Sequence, residues 1–80
     1  MHYIYIIKSL SKKDEHYTGL TDNLRVRIRE HNHGKSVATK RYMPWELIFY
    51  VAFPSRSKAA QFEKYLKSGS GRAFAQKHLI

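Results

Sequence analysis

The 80-residue chain contains no cysteine. That excludes a disulfide framework and any thiolate zinc site, leaves packing as the source of stability, and fits a reducing, cytoplasmic setting. Long apolar runs are also missing. The longest are strand-sized, and no N-terminal apolar segment leads to a small-residue cleavage site. Neither a membrane span nor a signal peptide is expected. Acidic residues are scarce, six against fifteen Lys and Arg, so the formal charge is +9. A field of that sign on so small a surface favours polyanions. Six tyrosines and four phenylalanines add groups that can stack on bases, and charge and aromatics together point to nucleic acid. Repeats and low-complexity segments are absent. The length predicts one domain over residues 1–80, with a core only just sufficient and no room for a regulatory domain.

His2 to Lys8, HYIYIIK, is β-branched and aromatic on both faces, as a central strand covered on both sides would be. Alternation places Tyr3, Tyr5 and Ile7 on one face and Ile4 and Ile6 on the other. The polar stretch Ser9 to Glu15 carries turn signals, and His16 to Leu20 returns as an antiparallel strand. Thr21 and Asp22 are good caps for a helix running from about Asp22 to about Asn32, with Gly34 as its stop. Lys35 to Pro44 is an irregular basic loop, whose Lys35, Lys40 and Arg41 are available to backbone phosphates.

Trp45 to Phe53, WELIFYVAF, is the clearest strand. Strict alternation would put Leu47, Phe49, Val51 and Phe53 on one face and Ile48, Tyr50 and Ala52 on the other. Pro54 ends it, and Ser55 or Ser57 can cap a helix with apolar positions Ala59, Phe62 and Leu66. Gly69 is expected to end that helix, and Ser70 to cap a short last one through Ala73, Phe74 and His78. The Gly-Ser-Gly segment lacks the preceding strand and lysine spacing of a P-loop. Order and patterning predict an α+β fold, a three-stranded antiparallel sheet flanked by helices, β-β-α-β-α-α.

The first helix poses a chemical question. With Leu24 and Ile28 as apolar markers, Arg27 and His31 fall on the same, core-facing side. Tyr5 in the central strand and Tyr17 in the next are close in sequence to that helix. If the second helix packs near the first over the same sheet face, Glu63 joins them. Two phenols, a guanidinium, an imidazole and a carboxylate are a set that phosphodiester cleavage can use: a base for water, a cation for phosphate charge, and an acidic metal ligand.

Each residue also has a structural reading. The tyrosines could be core, and Arg27 could lie along the sheet by its stem. His31 could interact with the helix C-terminus, and Glu63 could pair with Lys67 one turn on. The two histidines of His31-Asn32-His33 are badly spaced for one metal.

The ordered set carries a resemblance. Tyr3-Ile4-Tyr5, eleven residues (Ile6 through His16), Tyr17-Thr18-Gly19, TDNLRVRIREHN and later SKAAQFEKYLK resemble the GIY-YIG endonuclease domain, more narrowly its short bacterial single-domain members. The resemblance spans about Tyr3 to about Lys67. It implies that Tyr5 and Tyr17 are the tyrosines of the two tripeptides, Arg27 the helix arginine, His31 the histidine one turn later and Glu63 the metal-binding glutamate. Two positions depart from the pattern: Tyr3 stands for the first glycine and Thr18 for the second isoleucine, whereas Gly19, which permits close approach, is retained.

The resemblance further implies one Mg2+ or Mn2+ held by Glu63 and water. A tyrosine base, with an unperturbed pKa of about 10, then needs nearby positive charge, from Arg27 and the metal. The working assignment makes Tyr17 the base and has Tyr5 hydrogen-bond the phosphate or the metal's water. The expected function is metal-dependent endonuclease action on structured or damaged DNA, in repair or recombination, with DNA favoured over RNA. No recognition helix or zinc module remains to read sequence. The competing expectation is a non-catalytic nucleic-acid binding module of the same fold.

Overall fold

The computed structural model describes residues 1–80. The central strand expected from its doubly apolar faces is β1 (His2–Ser9), with β2 (His16–Thr21) antiparallel on one side and β3 (Trp45–Phe53) antiparallel on the other. Helices α1 (Leu24–Asn32), α2 (Arg56–Leu66) and α3 (Gly69–His78) complete the fold, with a short 3-10 turn at Lys40–Tyr42. No helix is long and apolar enough to cross a membrane.

A strand that is apolar on both faces must be covered on both, and this decides where the helices go. Ile4 and Ile6 pack with Ala59 and Leu66 of α2 and Ala75 of α3. Tyr5 and Ile7, on the opposite face, pack with Trp45, Leu24 and Ile28 of α1, and Tyr17 of β2. Helices α1 and α2 therefore lie on opposite faces of the sheet, so the shared face that would have brought Glu63 directly to α1 is not formed. Ile4, Ile6 and Ile7 are essentially inaccessible to solvent, and each contributes about 1.5–3 kcal/mol of burial free energy.

Strict alternation in β3 is also corrected. Ile6 pairs with Phe49 but Ile7 pairs with Leu47, a bulge that leaves Ile48 extra. An inserted residue reverses the facing of everything beyond it. Leu47 consequently joins the Tyr5 side, while Phe49, Val51 and Phe53 join the Ile4 side.

Cap positions differ by one or two residues. Asn23 caps α1, its side chain accepting from the Val26 N–H, because Thr21 still belongs to β2 and its hydroxyl accepts from the Asn23 N–H. Ser55 caps α2 as expected. That helix ends at Leu66 with Lys67 as its C-cap, and Ser68 rather than Ser70 caps α3, so Gly69 opens the last helix instead of closing the previous one. In α3 the buried positions are Gly71 and Ala75, with Ala73, Phe74 and His78 exposed. Gly71 has a packing reason, since a Cβ there would overlap the Tyr65 carbonyl.

Candidate active site

The face between β1, β2 and α1 brings together four of the five residues singled out. Tyr5 projects from the centre of β1 opposite Gly19 of β2, whose missing side chain makes room for it: a Cβ on Gly19 would overlap the Tyr5 hydroxyl and ring. Above it, α1 turns His31 inward. His31 is 0% exposed, and its Nε2 shares a 2.7 Å hydrogen bond with the Tyr5 hydroxyl. The edge of the imidazole meets the Tyr17 ring, centroids 5.4 Å apart.

His31 is thus not a helix-end residue reaching for carbonyls. Its second nitrogen, Nδ1, lies 2.6 Å from Thr39 Oγ1. Thr39 is fully buried although it lies in the irregular basic loop between α1 and β3. The Trp45 indole N–H donates to the Thr39 carbonyl at 2.8 Å. Asn32, the last residue of α1, clamps the Trp45 backbone from both sides, accepting from its N–H at 2.6 Å and donating to its carbonyl at 3.0 Å.

Burial raises the Tyr5 phenol above its usual pKa, and the charges of Tyr17 and Glu63 add to that, while the Arg27 guanidinium opposes it. Tyr5 is therefore a firmly protonated hydroxyl. Burial, reinforced by Arg27, lowers His31 to about 4 against a weaker pull from Glu30, so the imidazole is neutral at physiological pH. Arg27 is held more strongly protonated than usual, first by Glu30, to which it donates at 3.1 Å, and also by Tyr5. Its side chain keeps about a third of its surface open to solvent, which leaves guanidinium N–H groups available to an anion.

Glu63 arrives from the other side of the sheet. It projects from α2, which packs against β2 as well as β1, and β2 is an edge strand. Around that edge Lys67 places its ammonium 5.9 Å from the Tyr17 ring centre and pairs with Glu63 at 3.1 Å. The positive charge beside Tyr17 is thus Lys67, whereas Arg27 acts on Tyr5. The alternative reading of Glu63, a pair with Lys67, is therefore realised as well.

No group of three or more His, Cys, Asp or Glu forms a metal cage. A magnesium-type ion nonetheless keeps several waters and takes one or two carboxylates. Glu63 fits that need: only Oε2 meets Lys67, which leaves the other carboxylate oxygen for an ion.

Lys35, Lys40 and Arg41 are all exposed, and Arg41 lies over the Tyr42 ring, 5.6 Å from its centre. The largest concavity, about 590 Å³, lies toward β3 between Tyr3, Tyr50, Leu24 and Leu47, and contains none of the five residues. Tyr3, at the position of the family's first glycine, faces Tyr50 there at 6.3 Å between rings. Thr39 lies in no periodic segment, and the Asn32 clamp is made to a residue thirteen positions on, so neither leaves a signal in the local pattern.

The family-level comparison matches residues 1–77 to the GIY-YIG catalytic domain. The UPF0213 protein SH2523 of Staphylococcus haemolyticus is 40% identical over 70 residues, 86% of this chain and 83% of that protein. The UPF0213 protein YazA of Bacillus subtilis is 39% identical over 67 residues, 82% of this chain and 66% of that protein. The structure-specific endonuclease subunit SLX1 of Candida glabrata is 40% identical over 72 residues, 81% of this chain but only 23% of SLX1. With the fold, the paired tyrosines and a match over nearly its whole length, the chain belongs to the GIY-YIG nuclease family.

Proposed function

We propose that this protein is a divalent-metal-dependent endonuclease that hydrolyses phosphodiester bonds in branched, nicked or flapped DNA, with a role in repair or recombination. The observation that carries the reading is the convergence of Tyr5, Tyr17, Arg27 and His31 on one face, with the Glu63 carboxylate brought to it around the β2 edge. The kinship with a structure-specific endonuclease subunit supports the choice of substrate.

The side chains divide the work by their electrostatics. Tyr5, raised by burial, is a poor base and a good donor, so it donates its O–H to a phosphate oxygen. Arg27 stabilises the charge that grows on the phosphate in the transition state. Tyr17, beside the Lys67 ammonium, takes the proton of the attacking water. His31 holds Tyr5 in place. Glu63 would hold Mg2+ or Mn2+, which when bound supplies Lewis-acid charge and a more acidic water. Lys35, Lys40 and Arg41 bind backbone phosphates away from the cleaved bond.

A second reading, a nucleic-acid binding module without turnover, draws on the Glu63–Lys67 pair, which gives the carboxylate a purely structural partner. Incubation with Mg2+ or Mn2+ and a panel of branched, nicked and flapped DNAs decides between them. Cleavage by the wild type that is lost in Glu63→Ala supports the enzyme. Salt-sensitive binding without cleavage, unchanged by Glu63→Ala, supports the module.

A further inference from the structure

The hydroxyl of Thr39 has one partner, His31 Nδ1 at 2.6 Å, and the residue is 0% exposed. Its backbone is fixed separately, because its carbonyl accepts from the Trp45 indole and its N–H donates to the Ser36 carbonyl. At the far end of the imidazole, Nε2 lies 2.7 Å from the Tyr5 hydroxyl. A neutral imidazole has one N–H and one bare nitrogen, so the three groups can order their protons in only two ways.

In the first, Nδ1–H donates to Thr39 and the Tyr5 O–H donates to Nε2. The Thr39 proton is then left without an acceptor at a position closed to solvent, an arrangement that buried hydroxyls avoid. In the second, the Thr39 O–H donates to Nδ1 and Nε2–H donates to the Tyr5 oxygen. The proton left over is now that of Tyr5, on the side of the phenol that borders the partly exposed Arg27 and the half-buried Tyr17, the two groups a substrate phosphate would reach.

We infer that Thr39 is a positioning residue that fixes His31 as the Nε2–H tautomer and so turns the Tyr5 hydroxyl proton away from His31 and toward the substrate phosphate. Which nitrogen of a histidine carries the proton is set by the bond its other nitrogen makes. The neutrality of His31 is consistent with this arrangement. The effect on cleavage rests on the nuclease reading above, whereas the tautomer does not.

Two readouts on the full chain test it. Long-range proton–nitrogen NMR of the wild type is expected to show His31 protonated at Nε2, and protonation at Nδ1 would overturn the inference. Thr39→Val keeps the shape and removes the donor. It is expected to populate the Nδ1–H form and to slow single-turnover cleavage roughly 10- to 100-fold with DNA affinity unchanged, as loss of an orienting partner does. Thr39→Ser restores the hydroxyl and is expected to recover both the tautomer and the rate. A folded Thr39→Val variant with wild-type tautomer and rate, or a Thr39→Ser variant as impaired as Thr39→Val, overturns it. If the wild type cuts no DNA, the nuclease reading fails, and the NMR of wild type and Thr39→Val still decides the role of Thr39.

Discussion

The Tyr5 hydroxyl and His31 Nε2 meet at 2.7 Å across the interface of the central strand and the first helix, both side chains sealed from solvent. Neither can change without leaving a buried polar atom of the other unpaired. Tyr5→Phe is accordingly expected to destabilise the fold by about 1–3 kcal/mol, the cost of an orphaned buried group. It should also slow single-turnover cleavage by on the order of 100-fold with little change in DNA affinity. Denaturant unfolding and single-turnover rates check the two parts separately, and full activity in the variant would remove Tyr5 from the chemistry.

The depressed pKa of His31 makes stability depend on pH in a definite direction. The unfolded imidazole, near 6.5, binds a proton that the folded one refuses until about pH 4, so the unfolded state gains protons first as pH falls. Stability from this residue is fully present above about pH 6.5 and is lost progressively down to about pH 4, by up to about 3 kcal/mol. Urea midpoints measured across that window should fall for the wild type and fall less steeply for His31→Gln. Parallel profiles would show that His31 is not the group responsible.

Gly19 faces Tyr5 with no space for a methyl group. Gly19→Ala must therefore either push the phenol from its place or separate β1 from β2, at an expected cost of about 1–3 kcal/mol by overpacking. Cleavage should fall at least as far as in Tyr5→Phe. A variant of unchanged melting temperature and rate would contradict the close approach.

Lys35, Lys40 and Arg41 should affect binding without affecting specificity. Replacing any one by Ala is expected to weaken binding to all DNAs about equally and to reduce the slope of log affinity against log salt by about 1. Titrations at several salt concentrations measure it, and an unchanged slope would place that residue outside the interface.

The extent to which this architecture could be read from sequence varied with the kind of signal. The central position of β1 followed from the near-absence of polar residues on either face of His2 to Lys8, and its alternation separated Tyr5 from Ile4 and Ile6 as the two core clusters do. The inward face of α1 followed from the spacing of Leu24, Ile28 and His31. The bulge at Ile48 left no trace, because Leu47 to Phe53 is apolar or aromatic at every position and the extra residue is defined only by its pairing with β1. Thr39 was hidden for a related reason: its contacts are to Trp45 and His31, six and eight residues away on other elements, and follow no local period. Glu63 follows Phe62 directly on its helix, yet only the packing of α2 against the edge strand brings it round to Tyr17.

The two-point grip of Asn32 on Trp45 acts as a register pin. It prevents α1 from sliding along the sheet, and the His31–Tyr5 bond prevents it from rolling. A site fastened in both directions does not mould itself to its ligand, so under the proposed function the adjustment falls on the nucleic acid. A junction, nick or flap bends at lower elastic cost than continuous duplex, and a rigid protein surface can thereby select such structures without reading a single base.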